Sequence, residues 1–451
     1  MTAPGGAVTR VCVFSRILQP GMGDLVQRNV LFGLLRTAYP QARLTWVLGR
    51  HVAGVRATDE LVRRHSLADD VLLCPDAEED DPAAWARFMD ELRERRFQVC
   101  VVDPASGGLG VREAAEAGIE VRVAVPGPWH DVRLAPREGA GRPRSRVVRL
   151  AGPALALLRM VPMLWRQCRG SDDELITHRM QPAGDSPDVY DYAVALAAAL
   201  GVAAPPPERV VPRMPVVPEE LPAWTRRRPL VGIAPGGAAG WNRRWPLAGF
   251  TGLAARLVAE LDATVLVIGS AGEAGEAALL RDEVLRRRPE ARVYASTGEP
   301  LNRVANLIDR LDLLVCNDSG PAHLAAALHT PTVVVYGPTG DEEWARSYPL
   351  HHAVNHRPPC QNRWSEYLGR DVQCAAGCRR AYGGPDGLYP ACLAAVTVDE
   401  VWLAVLRRSQ EKVGLHLGRD GRDGAAGQPV EPPVGAAVDA GDVAALDARV
   451  E

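Results

Sequence analysis

Asp318, Ser319 and Gly320 stand where an apolar strand gives way to a helix, inside the run VCNDSGPAHLAAALHTPTVVVYGPTG (315–340). LDLLV (311–315) has the short apolar character of a buried strand, NDSGP interrupts it, and AHLAAAL is a helix of small residues. TVVVYG is a second buried strand, and GPTG breaks it in turn. The first backbone N–H groups of such a helix lack partners and, with the helix dipole, attract a phosphate. Asp318 pointing inward would repel that phosphate. It suits a ribose, another hydroxyl, or a plain helix cap.

PLVGIAPGGAAGWNRRWPLAGFTGLAARL (229–257) adds a strand, a glycine-rich loop, a basic pair and an amphipathic helix opened by Trp245-Pro246. Gly236, Gly237 and Gly240 carry no Cβ and let backbone come close to a ligand. Arg243 and Arg244 set two guanidinium forks at the mouth of the loop, matched in shape to paired phosphate oxygens. TVLVIGSAGEAGEAALL then gives another strand and turn, with Glu273 just before the helix. A carboxylate in that place takes ribose hydroxyls, or simply complements a helix start. Three such loops fall at the carboxyl ends of strands between 229 and 340, the edge where open parallel sheets hold ligands.

Near the N-terminus, RVCVFSR (10–16) is a strand, QPGMGD a glycine loop, and LVQRNVLFGLLRTAY (25–39) a helix by its apolar spacing. Asp24 therefore sits at the top of the first strand. Spacing alone makes it an N-cap. A carboxylate there also has the chemistry to accept a proton from an attacking hydroxyl.

The order GD, PGG…RRWP, IGSAGE, NDSGPAHLAAAL and YGPT resembles glycosyltransferase family 9, the heptosyltransferases. The resemblance spans about residues 8–410 with gaps and is most specific over 316–340. It implies the GT-B fold: α/β, two Rossmann-like domains whose parallel sheets face a central cleft. It also implies an inverting, metal-independent transfer of a sugar, heptose in the family, from an ADP-sugar to an acceptor hydroxyl of a lipopolysaccharide core. Carried onto this sequence, Asp24 matches the proposed base, and Arg244 a basic residue (often Lys) on the donor phosphates. Glu273 matches the ribose acid, and Asp318, Ser319, Gly320 and His323 the donor-binding helix start. Arg243 or Arg244 would then stabilise the leaving diphosphate oxygen together with the helix N–H groups. Segment 127–186 is long, Arg-rich and without counterpart in this pattern.

These residues need two sheets to position them. The 451 residues suit two or three domains, and 47 % apolar with 24 % charged residues is ordinary for a globular protein. A net charge of −3 lacks the basic footprint of a nucleic-acid binder. Lys412 is the single lysine, a bias without mechanistic weight. Strands are expected at 10–14, 43–48, 71–74, 98–102 and 119–124, with helices near 147–167 and 187–201 closing a first, acceptor-binding domain over 1–203. The Pro-rich stretch 204–228 reads as a linker, 229–412 as the donor domain ending in helix 398–410, and 413–451 as a disordered tail. The acidic run at 78–81 reads as a solvated loop.

No secretory signal and no run of about 20 apolar residues is visible, so a cytoplasmic protein is expected. Val147–Gln167, broken by Arg149, Pro153, Arg159 and Pro162, reads as a helix of the acceptor domain or as an interfacial helix on anionic lipid at the inner membrane face. Nine cysteines include the cluster Cys360, Cys374, Cys378 and Cys392, with His351, His352 and His356 nearby. A structural zinc is one reading, although the spacing fits no tight template. Cys316 reads as buried strand. The expected partners are a nucleotide-sugar donor and a glycan, glycolipid or small-molecule acceptor. A nucleotide-sugar binder without catalysis is the competing function, and it has no use for a base at Asp24. A dehydrogenase lacks support, because no G-x-G-x-x-G follows the first strand.

Overall fold

In the computed structural model the residues described are 7–15, 21–75, 81–103, 110–126, 172–183, 189–206, 210–237, 243–341, 345, 348–358, 382–384 and 387–415. The first sheet is built from β1 (Arg10–Ser15), β2 (Arg43–Gly49), β3 (Asp70–Cys74), β4 (Val99–Val102), β5 (Val121–Ala124) and β6 (His178–Arg179), in the order β3-β2-β1-β4-β5-β6. Every pairing in it is parallel. A second sheet takes β7 (Leu230–Ala234), β8 (Thr264–Gly269), β9 (Val293–Thr297), β10 (Leu313–Asn317), β11 (Thr332–Val335) and β12 (His351–Val354), in the order β12-β11-β10-β7-β8-β9. It too is parallel throughout. Counted from its own first strand, the second sheet repeats the order of the first. Both are Rossmann-like, with the order reversing between β1 and β4 and between β7 and β10.

The near-continuous apolar strands follow from this placement, since a parallel sheet covered on both faces has no wet side. Val11 and Val13 pack into one core, whereas Cys12 and Phe14 of the same strand pack into another, as period-two side chains require. α1 (Met22–Ala38), α2 (Arg56–Arg64), α3 (Pro82–Glu94), α4 (Val111–Glu116) and α5 (Val189–Leu200) clothe the first sheet. α6 (Leu247–Leu261), α7 (Ala274–Arg287), α8 (Leu301–Arg310) and α9 (Gly320–Ala327) clothe the second. A small antiparallel pair, β13 (Tyr382–Gly384) with β14 (Gly387–Tyr389), precedes α10 (Ala391–Ala394) and α11 (Val398–Leu415). The last helix runs past the expected end at 410 and past 412, where disorder had been expected to begin.

One apolar core joins the halves: Leu25, Val26 and Leu31 of α1 share it with Ala322, Leu324 and Ala325 of α9. The described residues through Ser409 form one compact unit. The described part of 204–222 has no regular structure. It is strapped to α8, where Asn302 Oδ1 accepts from Val217 N–H at 3.0 Å and Asn306 Oδ1 from Glu219 N–H at 3.1 Å. Glu60 of α2 reaches across to the start of α8 and accepts from the N–H groups of Leu301 and Asn302 at 3.3 and 3.2 Å. Among the described residues no helix is long and apolar enough to cross a membrane. The helix expected at 147–167, most of the acidic run at 78–81, the tail beyond 415 and Cys360, Cys374 and Cys378 lie outside the described residues.

Candidate active site

The first turns of α1 and α9, one from each half, meet at close range. A Cβ placed on Gly23 would lie 2.4 Å from Cδ2 of His323, and one placed on Gly320 would lie 3.3 Å from Cβ of Met22. Only glycine permits the first approach. Asp24 is therefore one residue from the contact. Asp24 is not the N-cap that the spacing predicts: Gly21 holds that place. Three residues on, in the first turn, Asp24 accepts from the Gly21 N–H through Oδ2 at 2.8 Å, where the helix start favours a carboxylate.

On the second sheet a single amide organises the glycine loop. Asn317, fully buried at the end of β10, donates from Nδ2 to the carbonyls of Pro235 (2.7 Å) and Gly236 (3.1 Å). Its Oδ1 accepts from the Trp245 N–H at 2.8 Å. The loop after β7, the entry to α6 and the end of β10 are thus one tied unit. Glu273 closes the far side: Oε1 accepts from Gly237 N–H at 2.8 Å, and Oε2 from Ser270 N–H and Oγ at 2.7 and 2.9 Å. A Cβ on Gly236 would fall 1.9 Å from Glu273 Oε1, so the carboxylate packs flat on that glycine.

The two adjacent arginines part company. Arg244 bridges Glu276 at 2.9 Å and Glu273 at 3.3 Å, and donates to the Gly237 carbonyl at 3.1 Å. Arg243 turns toward the start of α9, with Nη1 3.7 Å from Asp318 Oδ2. Asp318 also accepts from Thr339 Oγ1 at 2.5 Å, which ties the YGPT loop to the helix start. Ser319 occupies the N-cap without capping; its Oγ donates to the Asn317 carbonyl at 3.1 Å. The Gly320 end of α9 thereby keeps its donor character.

His323 is only 9 % exposed, and its Nδ1 lies 3.2 Å from the Tyr348 hydroxyl. Burial pushes its pKa down, opposed by the charges of Asp318 and Asp24 and reinforced by those of Arg243 and Arg28. All four of these charged groups therefore act on the His323 imidazole. Arg28 sits one helical turn beyond Asp24 and pairs through Nε with Asp103, which immediately follows β4. Ser15 Oγ donates to the same Asp103 oxygen at 2.9 Å. Burial works against Arg28's charge, yet Asp103 and then Asp24 hold its pKa above the ordinary value.

The structure gathers Asp24, Arg243, Asp318, Ser319, Gly320 and His323 at or next to the contact, sets Gly236, Gly237 and Arg244 in the loop beside it, and brings Glu273 against that loop from the turn after β8. Sequence reasoning did not single out Asn317, Arg28, Asp103, Thr339 or Tyr348. Asn317 stood in the quoted NDSGP motif, where a buried amide beside a glycine loop was the available signal. Among the described residues no group of three or more His, Cys, Asp or Glu could hold a metal ion. Cys316 is buried in β10, as expected, and burial pushes its thiol up. Cys392 is half-buried.

Residues 174–366 match the profile of glycosyltransferase family 9 (heptosyltransferase). None of the curated proteins matches the sequence. Among solved structures, the chain is similar to the ADP-heptose lps heptosyltransferase II of E. coli at 18 % identity and a TM-score of 0.54, covering 90 % of this chain and 99 % of that one. It is also similar to E. coli heptosyltransferase WaaC with ADP-2-deoxy-2-fluoro heptose, at 16 % identity and 0.53, over 88 % and 99 %. The glycosyl transferase family 9 of Veillonella parvula gives 13 % identity and 0.57, over 91 % and 100 %. At these identities the structures speak for the fold. With two Rossmann-like sheets whose switch points carry the helix starts that meet, this chain has the GT-B fold, and residues 174–366, from the last strand of the first sheet through the second, match the glycosyltransferase family 9 (heptosyltransferase) model.

Proposed function

We propose that the protein is an inverting glycosyltransferase that moves a sugar, heptose by family resemblance, from an ADP-sugar to an acceptor hydroxyl, without a metal in the chemical step. Asp24 is the base. It takes the hydroxyl proton as the acceptor oxygen bonds to the anomeric carbon, and the bond from that carbon to the diphosphate oxygen breaks on the opposite face. Negative charge grows on the leaving oxygen, where Arg243 and the Gly320 end of α9 stabilise it. In this reading Arg243, rather than Arg244, meets the diphosphate, while Arg244 and Glu273 hold the glycine loop in shape. Any ribose contact at Glu273 shares oxygens already bonded to Gly237 and Ser270. The observation that supports the reading best is the apposition of the α1 and α9 first turns, which brings the base within electrostatic reach of the donor helix.

The acceptor is a lipopolysaccharide core or related glycan, with a small-molecule scaffold as the alternative, and peripheral membrane contact belongs to the first case. A panel of ADP, UDP, GDP and dTDP sugars, read by thermal shift and by mass spectrometry of the product, identifies the donor. Asp24→Ala is expected to abolish transfer and leave ADP binding unchanged. Wild-type protein that binds ADP-sugars tightly but transfers to no acceptor would instead favour the non-catalytic binder. Chelation is expected to leave turnover intact, and metal analysis before and after Cys374→Ala tests the zinc reading separately.

A further inference from the structure

We propose that Tyr348 is a positioning residue that fixes His323 as an Nε2–H donor where the first turns of α1 and α9 meet. The inference rests on the transferase reading only for what that donor then touches.

Tyr348 is buried, and its hydroxyl is 3.2 Å from His323 Nδ1, with the two rings edge to face at 6.0 Å and 85°. Behind it stands His351, again edge to face, at 6.3 Å and 86°. His351 is itself locked by Thr332 Oγ1 at 3.0 Å and by the Tyr336 hydroxyl at 3.1 Å. The tyrosine ring therefore has packed neighbours on both sides. On its opposite edge, His323 lies against Gly23, whose Cβ position would be 2.4 Å from Cδ2 and 3.1 Å from Nε2. The imidazole is held between a phenol and a glycine and cannot swing away.

A neutral imidazole carries one proton, and the bond made by one nitrogen decides where it resides. Burial keeps His323 neutral. A phenol hydroxyl that donates to Nδ1 leaves the proton on Nε2. The charges of Asp24 and Asp318 favour a protonated imidazole; of the opposing cations, Arg28 is paired with Asp103 and Arg243 stands 3.7 Å from Asp318. Among the described residues Nε2 makes no hydrogen bond, so its donor remains for a substrate. An uncharged N–H beside the α9 start suits an oxygen of the bound sugar or diphosphate and adds direction without adding charge.

Nitrogen-15 histidine labelling gives the direct test, with the His323 signals assigned by His323→Gln. The expected spectrum shows the Nε2–H tautomer in wild-type protein and its loss or mixing in Tyr348→Phe, which removes one oxygen and keeps the ring. In the same variant, kcat for sugar transfer is expected to fall about tenfold while the ADP Kd stays within about twofold. An Nδ1–H tautomer in wild-type protein, or an unchanged His323 spectrum in Tyr348→Phe, overturns the assignment. Should the protein transfer no sugar at all, the spectra still decide the role of Tyr348, and only the functional reading falls.

Discussion

Arg28 and Asp103 stand in the first half of the molecule where Arg243 and Asp318 stand in the second. In each half the arginine comes from the segment after the first strand and the aspartate directly follows the fourth, so both pairs straddle the switch point of their sheet. Each aspartate also takes a hydroxyl, from Ser15 in one half and Thr339 in the other. The pairs differ in tightness. Arg28 and Asp103 are in direct contact with side-chain exposures of 9 % and 1 %, whereas Arg243 and Asp318 stand 3.7 Å apart at 19 % and 7 %. A gap of that size exceeds a hydrogen bond. The closed pair anchors α1 and hence Asp24; the looser pair is the one an incoming anion can join.

Substituting each arginine by methionine is the severest way to break this contrast. Arg28→Met strands a buried aspartate and is expected to cost about 3–5 kcal/mol of stability, measured by chemical denaturation. Arg243→Met is expected to change stability by less than about 1 kcal/mol and to lower kcat about a hundredfold or more. Finding the large stability loss at Arg243 and the selective kinetic loss at Arg28 would reverse the two roles.

How much of this contrast could be read beforehand depended on the range of the interaction. The strands of both halves were legible, because buried parallel strands such as VCVF and LVGIA are apolar on both faces. The glycine loops and the α9 start were legible as breaks between strand and helix. The Arg28–Asp103 pair was not, since its members are 75 residues apart and neither carries a local signature. Arg243 and Arg244 show a second limit. Residue type and spacing make them equal, and only the backbone of the loop turns one toward Asp318 and the other toward Glu273 and Glu276. Glu273 shows a third: Ser270-x-x-Glu273 is a capping-box pattern, and the carboxylate forms that box while also holding the Gly237 N–H.

A second asymmetry sharpens the comparison through pH. Beside the site, the second half holds the half-buried His351, whose pKa is pushed down to about 4, chiefly by desolvation, with Asp341 opposing and His323 assisting. Asp318 and Arg408 are the other charges that act on it. The unfolded chain takes up this proton near the ordinary value of 6.5, and the folded chain does so only near 4. Stability from this group is therefore complete above about pH 6.5 and is lost as pH falls toward 4, by roughly 3 kcal/mol in all. His323 is shifted in the same direction and adds to the loss. Denaturation curves at pH 7 and 4.5 should show a shallower acid decline in His351→Gln than in wild type. An equal decline would place the acid sensitivity on carboxylates elsewhere.

Two glycines of α1 give the finest test, because they share one helix and face very different neighbours, Gly23 in its first turn and Gly33 in its interior. Gly23 faces His323 at 2.4 Å, and Gly33 has only Leu67 Cδ1, at 3.9 Å. Gly23→Ala must displace the imidazole or part the two helix starts, so transfer should fall at least tenfold while the rest of α1 keeps its packing. Gly33→Ala meets ordinary van der Waals contact in a helix interior and should stabilise the protein by about 0.5–1 kcal/mol with activity unchanged. Equal kinetic effects from the two variants would mean that helix propensity, not the contact between α1 and α9, governs the rate, and the apposition of the halves would lose its place in the mechanism.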